Sequence, residues 1–387
     1  MRTVNHITWI IGAAAVVLAG LGLFYVMGDM GKGNSINLAV GTYGEHLYTY
    51  KLDTESLEFI ETGRAKAINS SYAVGGRKAD GTYIYAVSET GEESGVYSFK
   101  ADGESGRIDM TGEKYNAGTD PCFAMLYKDK YMLTADYSGG SISVFPIRNG
   151  AVGDMCQKLT FSGSGPVKGR QESPHIHQVR QLPSIEGIND DYILATDLGA
   201  DVIRVIYVST VCSEEEDGIL LTHIKDIPCP GGSGPRHMEF SNDGEILYCL
   251  GELSGEVMAY EISSKDGKPQ FELKQRIMAD EVNAGGSADI HLHPSGKWLY
   301  TSHRLDNDGI AIFSIKEDGT LEKTGYNKTA RHPRNFMISD DGAIMLVACL
   351  NDRVIQVFRI SDDGTLTLTP SVLRFEKDMP SCVTAIR

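Results

Sequence analysis

The chain has 387 residues, of which 41% are hydrophobic, with 43 glycines and a formal net charge of −16. That supplies a core for two ordinary domains or one large repetitive one, and the acidic excess excludes general nucleic-acid binding, which depends on phosphate neutralisation. Seven cysteines are scattered without CxxC spacing, which points to buried thiols and against a disulfide framework.

The chain opens with an apolar run from Ile7 to Met27, 21 residues without a charge. A bilayer-crossing helix takes about 20. Arg2 precedes the run, so the positive-inside tendency puts the N-terminus in the cytoplasm and the body outside. The expectation is an N-terminal hydrophobic helix that anchors an exported, periplasmic-side body. A cleaved signal peptide is the competing reading, but the run exceeds the usual signal core and no small-x-small site closes it. A cytoplasmic location is the alternative to export. Residues 1–32 are assigned to this segment; the linker "GDMGKGNS" leads into a single domain over 36–387.

From there to the C-terminus one unit repeats. Hairpins begin at Asn37 ("NLAVGTYGEHLYTYKL"), Tyr83 ("YIYAVSETGEESGVYSF"), Tyr131 ("YMLTADYSGGSISVFPI") and Tyr192 ("YILATDLGADVIRVIYV"). Three more begin at Ile246 ("ILYCLGELSGEVMAYEI"), Trp298 ("WLYTSHRLDNDGIAIFSI") and Ile344 ("IMLVACLNDRVIQVFRI"). Each alternates with period two and turns at Gly, Asn or Asp. A shorter strand precedes six of them: "NSSYAVG", "DPCFAML", "SPHIHQV", "GPRHMEF", "SADIHLH" and "HPRNFMI". The seventh short strand, "MPSCVTA", lies after the last hairpin, while the hairpin at Asn37 has none before it. A closed ring explains both facts, because the C-terminal strand then completes the first blade and leaves only short edges. The predicted fold is all-β: a seven-bladed β-propeller of four-stranded blades, about 50 residues each.

Innermost strands of a propeller line its central channel, so equivalent positions form rings. The residue after the proline-like position of each short strand gives Tyr72, Cys122, His175, Arg236, Ala288, Arg334 and Ser381. The seventh residue of each hairpin gives Tyr43, Glu89, Tyr137, Leu198, Glu252, Arg304 and Leu350. Two residues further along the short strand the ring is mostly apolar: Val74, Ala124, His177, Met238, Ile290, Phe336 and Val383. Packing alone tends to keep one residue type per register. The two mixed rings are what an asymmetric small molecule needs from a symmetric scaffold. Arg236, Arg304 and Arg334 outnumber the carboxylates near them, which favours a cationic pocket for an anion over inter-blade bridging. His175 and His177 share a strand face, but no Asp, Cys or third His stands at metal spacing beside them, so no metal and no cofactor are expected. The second His-x-His, His291 and His293, aligns further along its strand and reads as rim histidines bonded to a neighbouring blade.

The stretches "GTDPCFAML", "SPHIHQV", "GPRHMEFSNDGEILYCLGELSGEV", "GSADIHLHPSGKWLYTSHRLDNDGIAIF" and "HPRNFMISDDGAIMLVACLNDRVIQVFRI" together resemble the bacterial seven-bladed lactonase family. That family includes propeller-type 6-phosphogluconolactonase and is related to the carboxymuconate-lactonising enzyme. The resemblance covers the chain from about Ile36 onward. It implies metal-free hydrolysis of a small-molecule sugar lactone, typically 6-phosphoglucono-1,5-lactone to 6-phosphogluconate. The family's catalytic His, Arg, Glu and Arg fall on His175 or His177, Arg236, Glu252 and Arg304; Arg334, His237, His177 and Glu89 would complete a substrate-binding wall. The expected chemistry has the arginines stabilising the oxyanion as water attacks C1, with Glu252 or His175 exchanging protons with water and the ring oxygen. Departures at Ser88, Asp136 and His303, where relatives carry Asn, and at Ser70, where they carry Pro, would reshape the pocket. Export would favour an unphosphorylated aldonolactone. Two rival readings are a cycloisomerase acting on a muconate-like dicarboxylate and a non-enzymatic interaction scaffold. A serine nucleophile elbow is absent, since the "GSGSGP" and "GGSGP" stretches read as loops.

Overall fold

Period-two alternation and the displaced terminal strand resolve into seven antiparallel sheets. The computed structural model describes residues 35–102, 107–211 and 218–386. The predicted N-terminal helix over 7–27 and the whole of segment 1–32 lie outside those residues, as does position 387 at the end of segment 36–387. Among the described residues no helix is long and apolar enough to cross a membrane, and two single 3-10 turns, Gly91–Glu93 and Leu305–Asn307, interrupt the strands.

In chain order, blades 2 to 7 begin with inner strands Ala73–Lys78, Pro121–Tyr127, Ile176–Gln181, Pro235–Phe240, Ser287–Leu292 and Pro333–Ile338. Blade 1 takes its inner strand from the far end of the chain. Met379–Ala385 pairs antiparallel with Ser35–Tyr43, from Leu38 opposite Ala385 to Tyr43 opposite Met379. Blade 3 carries one short extra strand, Ala151–Val152, on Ser141–Arg148. The closure expected from the sequence is therefore present.

Seven apolar clusters fill the seven seams between neighbouring blades. The seam between blades 1 and 7 packs Leu38, Val40 and Val383 against Leu346, Ile355 and Val357, so apolar burial as well as strand pairing closes the ring. Of the cysteines in the described residues, Cys122, Cys249, Cys349 and Cys382 are buried, and six thiols are free, as the scattered spacing predicted.

One irregularity decides where the site forms. Pairing between inner strand and hairpin slips at Pro121/Phe123, Ile176/Gln178, Pro235/His237, Ser287/Ile290 and Pro333/Asn335, and at Ser381 opposite Gly41 and Thr42. Each slip is a β-bulge, which leaves one residue unpaired and re-aims its side chain. The bulged residues are Cys122, His177, Arg236, Ala288, Arg334 and Ser381, and they stand at one level of the channel.

Candidate active site

Backbone hydrogen bonds fix the register of the two mixed rings. The amides of Glu89, Tyr137, Leu198, Glu252, Arg304 and Leu350 donate to the carbonyls of Asn69, Asp120, His175, Gly234, Gly286 and His332. The hairpin ring thus stands as the sequence predicts. The inner ring needs two corrections. His175 aligns with Gly234 and His332, ahead of the strand, so His177 is the equivalent of Arg236; in blade 2, Ser71 replaces Tyr72. Bulges break the two-residue period on which the sequence alignment relied. Met238, Ile290, Phe336 and Val383, read as a second channel level, are buried in the seams instead.

At this mouth lies a cavity of about 230 Å³ lined by Tyr43, Glu89, Cys122, Tyr137, His177, Glu252, Arg304 and Arg334. Glu252 is its electrostatic centre. Its Oε2 accepts from Arg236 Nε at 2.8 Å and faces Arg304 Nη2 at 3.3 Å, while Oε1 accepts from Arg170 Nη2 at 2.6 Å. Burial favours the neutral acid, but Arg304, Arg236 and Arg170 outweigh it and hold the carboxyl down to about 2. Arg236 stands behind Glu252, outside the cavity lining, with Nη1 on the Ala288 carbonyl. Arg304 donates from Nε to the Gly286 carbonyl at 2.8 Å; burial pulls its pKa down to about 9, against Glu252.

Across the cavity a second chain of donors runs from Arg334 Nη2 to the Tyr43 hydroxyl at 2.8 Å, and from that hydroxyl to Glu89 Oε2 at 2.7 Å. His177 is 5% exposed. Burial first, then Arg236, His237, Arg334 and Arg304, drive its pKa well below the ordinary imidazole value, so it is neutral at pH 7. Its Nδ1 lies 3.7 Å from Cys122 Sγ. Burial pushes that thiol up, which rules out a resting thiolate nucleophile. His175 does not reach the cavity lining: its ring stacks on Tyr137 at 4.4 Å and its Nδ1 donates to the Tyr137 carbonyl at 3.0 Å. The two histidines therefore do not converge on a metal, and among the described residues no group of three His, Cys, Asp or Glu could hold one.

One level deeper the channel contains a network that sequence reading missed. Asp289, 1% exposed, accepts from His237 Nδ1 at 2.6 Å, Asn335 Nδ2 at 2.6 Å and the amides of Ile290 and Phe336 at 3.0 and 3.1 Å. It also lies 3.1 Å from His291 Nε2. His237 is neutral, because burial and the adjacent Arg236 lower its pKa to about 4 against the pull of Asp289; it belongs to this level and not to the cavity wall. His291 is the opposite case. Burial disfavours its charge, but Asp289 and Glu239 raise its pKa to about 10. Its unfolded pKa is about 6.5, so its stabilisation is complete below that value and is lost as pH rises through 10. Denaturant unfolding measured from pH 6 to 10 should show wild-type stability falling across this window and His291→Gln falling less; equal slopes would remove His291 as the cause. His293 behaves as a rim residue, with Nε2 on the Gly342 carbonyl of blade 7 at 3.0 Å.

The departures at Ser88, Asp136 and His303 do not reshape the cavity. Each is buried one residue behind the hairpin ring with partners inside its own region: Ser88 on the Ile68 carbonyl at 3.0 Å, Asp136 on Thr134, Ser141 and Ser143, and His303 on Ser287 and Thr301. Larger hollows exist at the opposite channel mouth, about 410 Å³ beside His291 and Thr384, and on the outer side of blade 2, about 810 Å³ beside Lys100 and Asp80. The first brings together His291 and Asp340 as its only charged pair, and the second lies on blade 2 alone. The residue missed at the cavity's edge is Arg170, on Glu252 from the connection between blades 3 and 4. The sequence signal for it was the long interval between the hairpins at Tyr131 and Tyr192, which marks an insertion there.

Comparison with known proteins places this geometry. A 6-phosphogluconolactonase of Formosa agariphila is 32% identical over 339 residues, covering 85% of this chain and 93% of the relative. One from Bacillus subtilis is 27% identical over 89% of this chain and 96% of its own length. Among solved structures, a Bacteroides fragilis protein provisionally named 6-phosphogluconolactonase superposes with TM-score 0.84 at 37% identity, covering 93% of this chain and all of the other. A Pseudomonas aeruginosa periplasmic gluconolactonase superposes with TM-score 0.77 at 26% identity, over 91% and 99% of the two chains. With the family model "Lactonase, 7-bladed beta-propeller" matching residues 37–385, the chain belongs to that family.

Proposed function

We propose that the chain hydrolyses an aldono-1,5-lactone in this cavity, with 6-phosphoglucono-1,5-lactone as the preferred substrate and 6-phosphogluconate as product. One observation carries the reading: four guanidinium groups, Arg170, Arg236, Arg304 and Arg334, surround two carboxylates, Glu89 and Glu252, at a water-reachable hollow. Interlocked charges would leave no room for a ligand in a pure scaffold. Here they leave a hollow whose wall carries Arg304 and Arg334 beside Glu89 and Glu252, with Arg236 behind and Arg170 at the edge adding two further positive charges, inside a chain of net charge −16. Bidentate guanidinium recognition suits phosphate and carboxylate oxygens, and the names of the Formosa and Bacillus relatives support the phosphorylated lactone.

In the proposed mechanism Arg304 and Arg334 face the lactone carbonyl and stabilise the oxyanion that forms as water adds to C1. A well-placed oxyanion donor is worth about 100- to 1,000-fold in rate. His177, uncharged and in the wall, accepts the proton of the attacking water and returns it to the departing ring oxygen. Glu252, ionised throughout the neutral range, holds Arg304 and Arg236 in place and keeps their mutual repulsion down. His175 supports the ring of Tyr137. We further propose that residues 1–32 anchor or export the body, as the periplasmic gluconolactonase of Pseudomonas supports; in that location the unphosphorylated lactone is the substrate at hand, while the phosphorylated one remains the ligand that the cavity's arginines bind more tightly.

Ring opening releases a carboxylic acid, so a pH-stat reads it directly. Purified protein should accelerate opening of 6-phosphogluconolactone well above the spontaneous rate, and of gluconolactone to a smaller degree. No acceleration of either, or turnover only of a muconate-like dicarboxylate in a parallel assay, would refute the reading.

A further inference from the structure

Three guanidiniums bind Glu252, but they are not alike. Arg236 and Arg304 come from strand ends, are 2% and 6% exposed, and are tied to the carbonyls of Ala288 and Gly286. Arg170 comes from the irregular connection over residues 161–175, and its side chain is 37% exposed. Its guanidinium is held by side chains alone, the Glu252 carboxylate and the Tyr137 hydroxyl, with no main-chain carbonyl tie among the described contacts. The backbone beneath it is fixed. Gln171, 1% exposed, donates from Nε2 to the Leu198 carbonyl and to Asp201 Oδ1, both at 2.8 Å. Upstream, the Ser162 carbonyl accepts from Arg204 Nη2 at 2.7 Å. A pinned main chain with a long, half-exposed cation is a geometry for a swinging side chain, not for a moving lid.

The space asks for such a movement. At about 230 Å³ the cavity is smaller than the roughly 300–1,000 Å³ usual for small-molecule sites, and Arg170 lies over Glu252 beside Tyr137 at its edge. When Arg170 leaves, Glu252 keeps its two fixed partners, and no buried carboxylate is orphaned.

We propose that Arg170 is the residue that reads the far anionic group of the substrate: it exchanges Glu252 for the 6-phosphate and thereby sets the preference for phosphorylated over unphosphorylated ligands. The proposal rests on the lactonase reading of the cavity, but it is tested by binding as well as by turnover. Exchange of one carboxylate for a phosphate dianion costs no unpaired charge, and a charge-assisted contact of this kind exists only for the phosphorylated ligand.

The experiment is calorimetric titration of wild type, Arg170→Ala and Arg170→Lys with 6-phosphogluconate and with gluconate, alongside KM for the two lactones. The ratio of the two affinities should fall about tenfold or more in Arg170→Ala and by less in Arg170→Lys, which keeps the charge but loses the planar fork. The KM ratio should move in step, with the selectivity carried by KM and not by kcat. An unchanged affinity ratio in folded Arg170→Ala overturns the role of Arg170, even if lactones are hydrolysed. Altered 6-phosphogluconate binding without lactone turnover by the wild type would keep Arg170 as the phosphate reader and overturn the lactonase reading instead.

Discussion

Glu252→Gln is expected to lower kcat/KM for lactone opening by about 100-fold or more, the scale of losing a positioned oxyanion donor. The reason is indirect. Glutamine has nearly the same shape, but it cannot neutralise Arg304 and Arg236, and its amide would point donors at donors. Arg304, whose pKa burial already lowers to about 9, then loses the carboxylate that opposes this shift and is driven from its place beside the carbonyl. Removing one member of a buried ion pair also costs stability, about 3–5 kcal/mol in comparable cases. A fall in activity could therefore reflect unfolding, and Glu252→Asp separates the two. It retains the charge in a shorter arm, so its thermal midpoint should stay closer to wild type while its rate still falls, because the guanidiniums follow the carboxylate out of position. A Glu252→Gln protein that melts normally and turns over at the wild-type rate would contradict the account.

Asp289→Ala is expected to be the most damaging single change to the fold. Asp289 accepts or faces five donors from blades 5, 6 and 7: His237, His291, Asn335 and the amides of Ile290 and Phe336. Deleting it orphans these buried groups and leaves the His291 charge with Glu239 alone. The expected loss is about 3–5 kcal/mol, which for a domain of this size lowers the melting temperature by about 4–7 °C. Differential scanning calorimetry at pH 7 checks it, and a shift under two degrees would mean that the channel admits enough water to satisfy those groups.

The comparison of sequence with structure turns on one local feature. The hairpins were legible because period-two alternation and Gly, Asn or Asp turns follow directly from strand geometry. The ring taken from hairpin ends, which contains Glu89, Glu252 and Arg304, was therefore placed correctly in every blade. Inner strands carry a bulge, which sequence does not announce. Where a proline marks the strand start, as at Pro121, Pro235 and Pro333, Arg236, Arg334 and Cys122 were still placed correctly. In blade 4 the proline of "SPHIHQV" stands two residues before the strand begins at Ile176, so His175 took the place of His177. In blade 2 there is no proline, and Tyr72 displaced Ser71. Arg170 was out of reach for a different reason. No repeat equivalent exists for a residue in an insertion, and its place over Glu252 depends on Gln171 folding the connection back onto blade 4. Asp289 was invisible because its partners are scattered over three blades and none of them is a repeated type.

The most direct test is a crystal structure of the protein soaked with 6-phosphogluconate. The account predicts the sugar acid in the hollow between Glu252 and Tyr43, with its C1 carboxylate on Arg304 and Arg334 and its phosphate on an Arg170 released from Glu252. Density for the ligand at the opposite mouth beside His291, or an empty hollow with Arg170 still on Glu252 at saturating ligand, would contradict it.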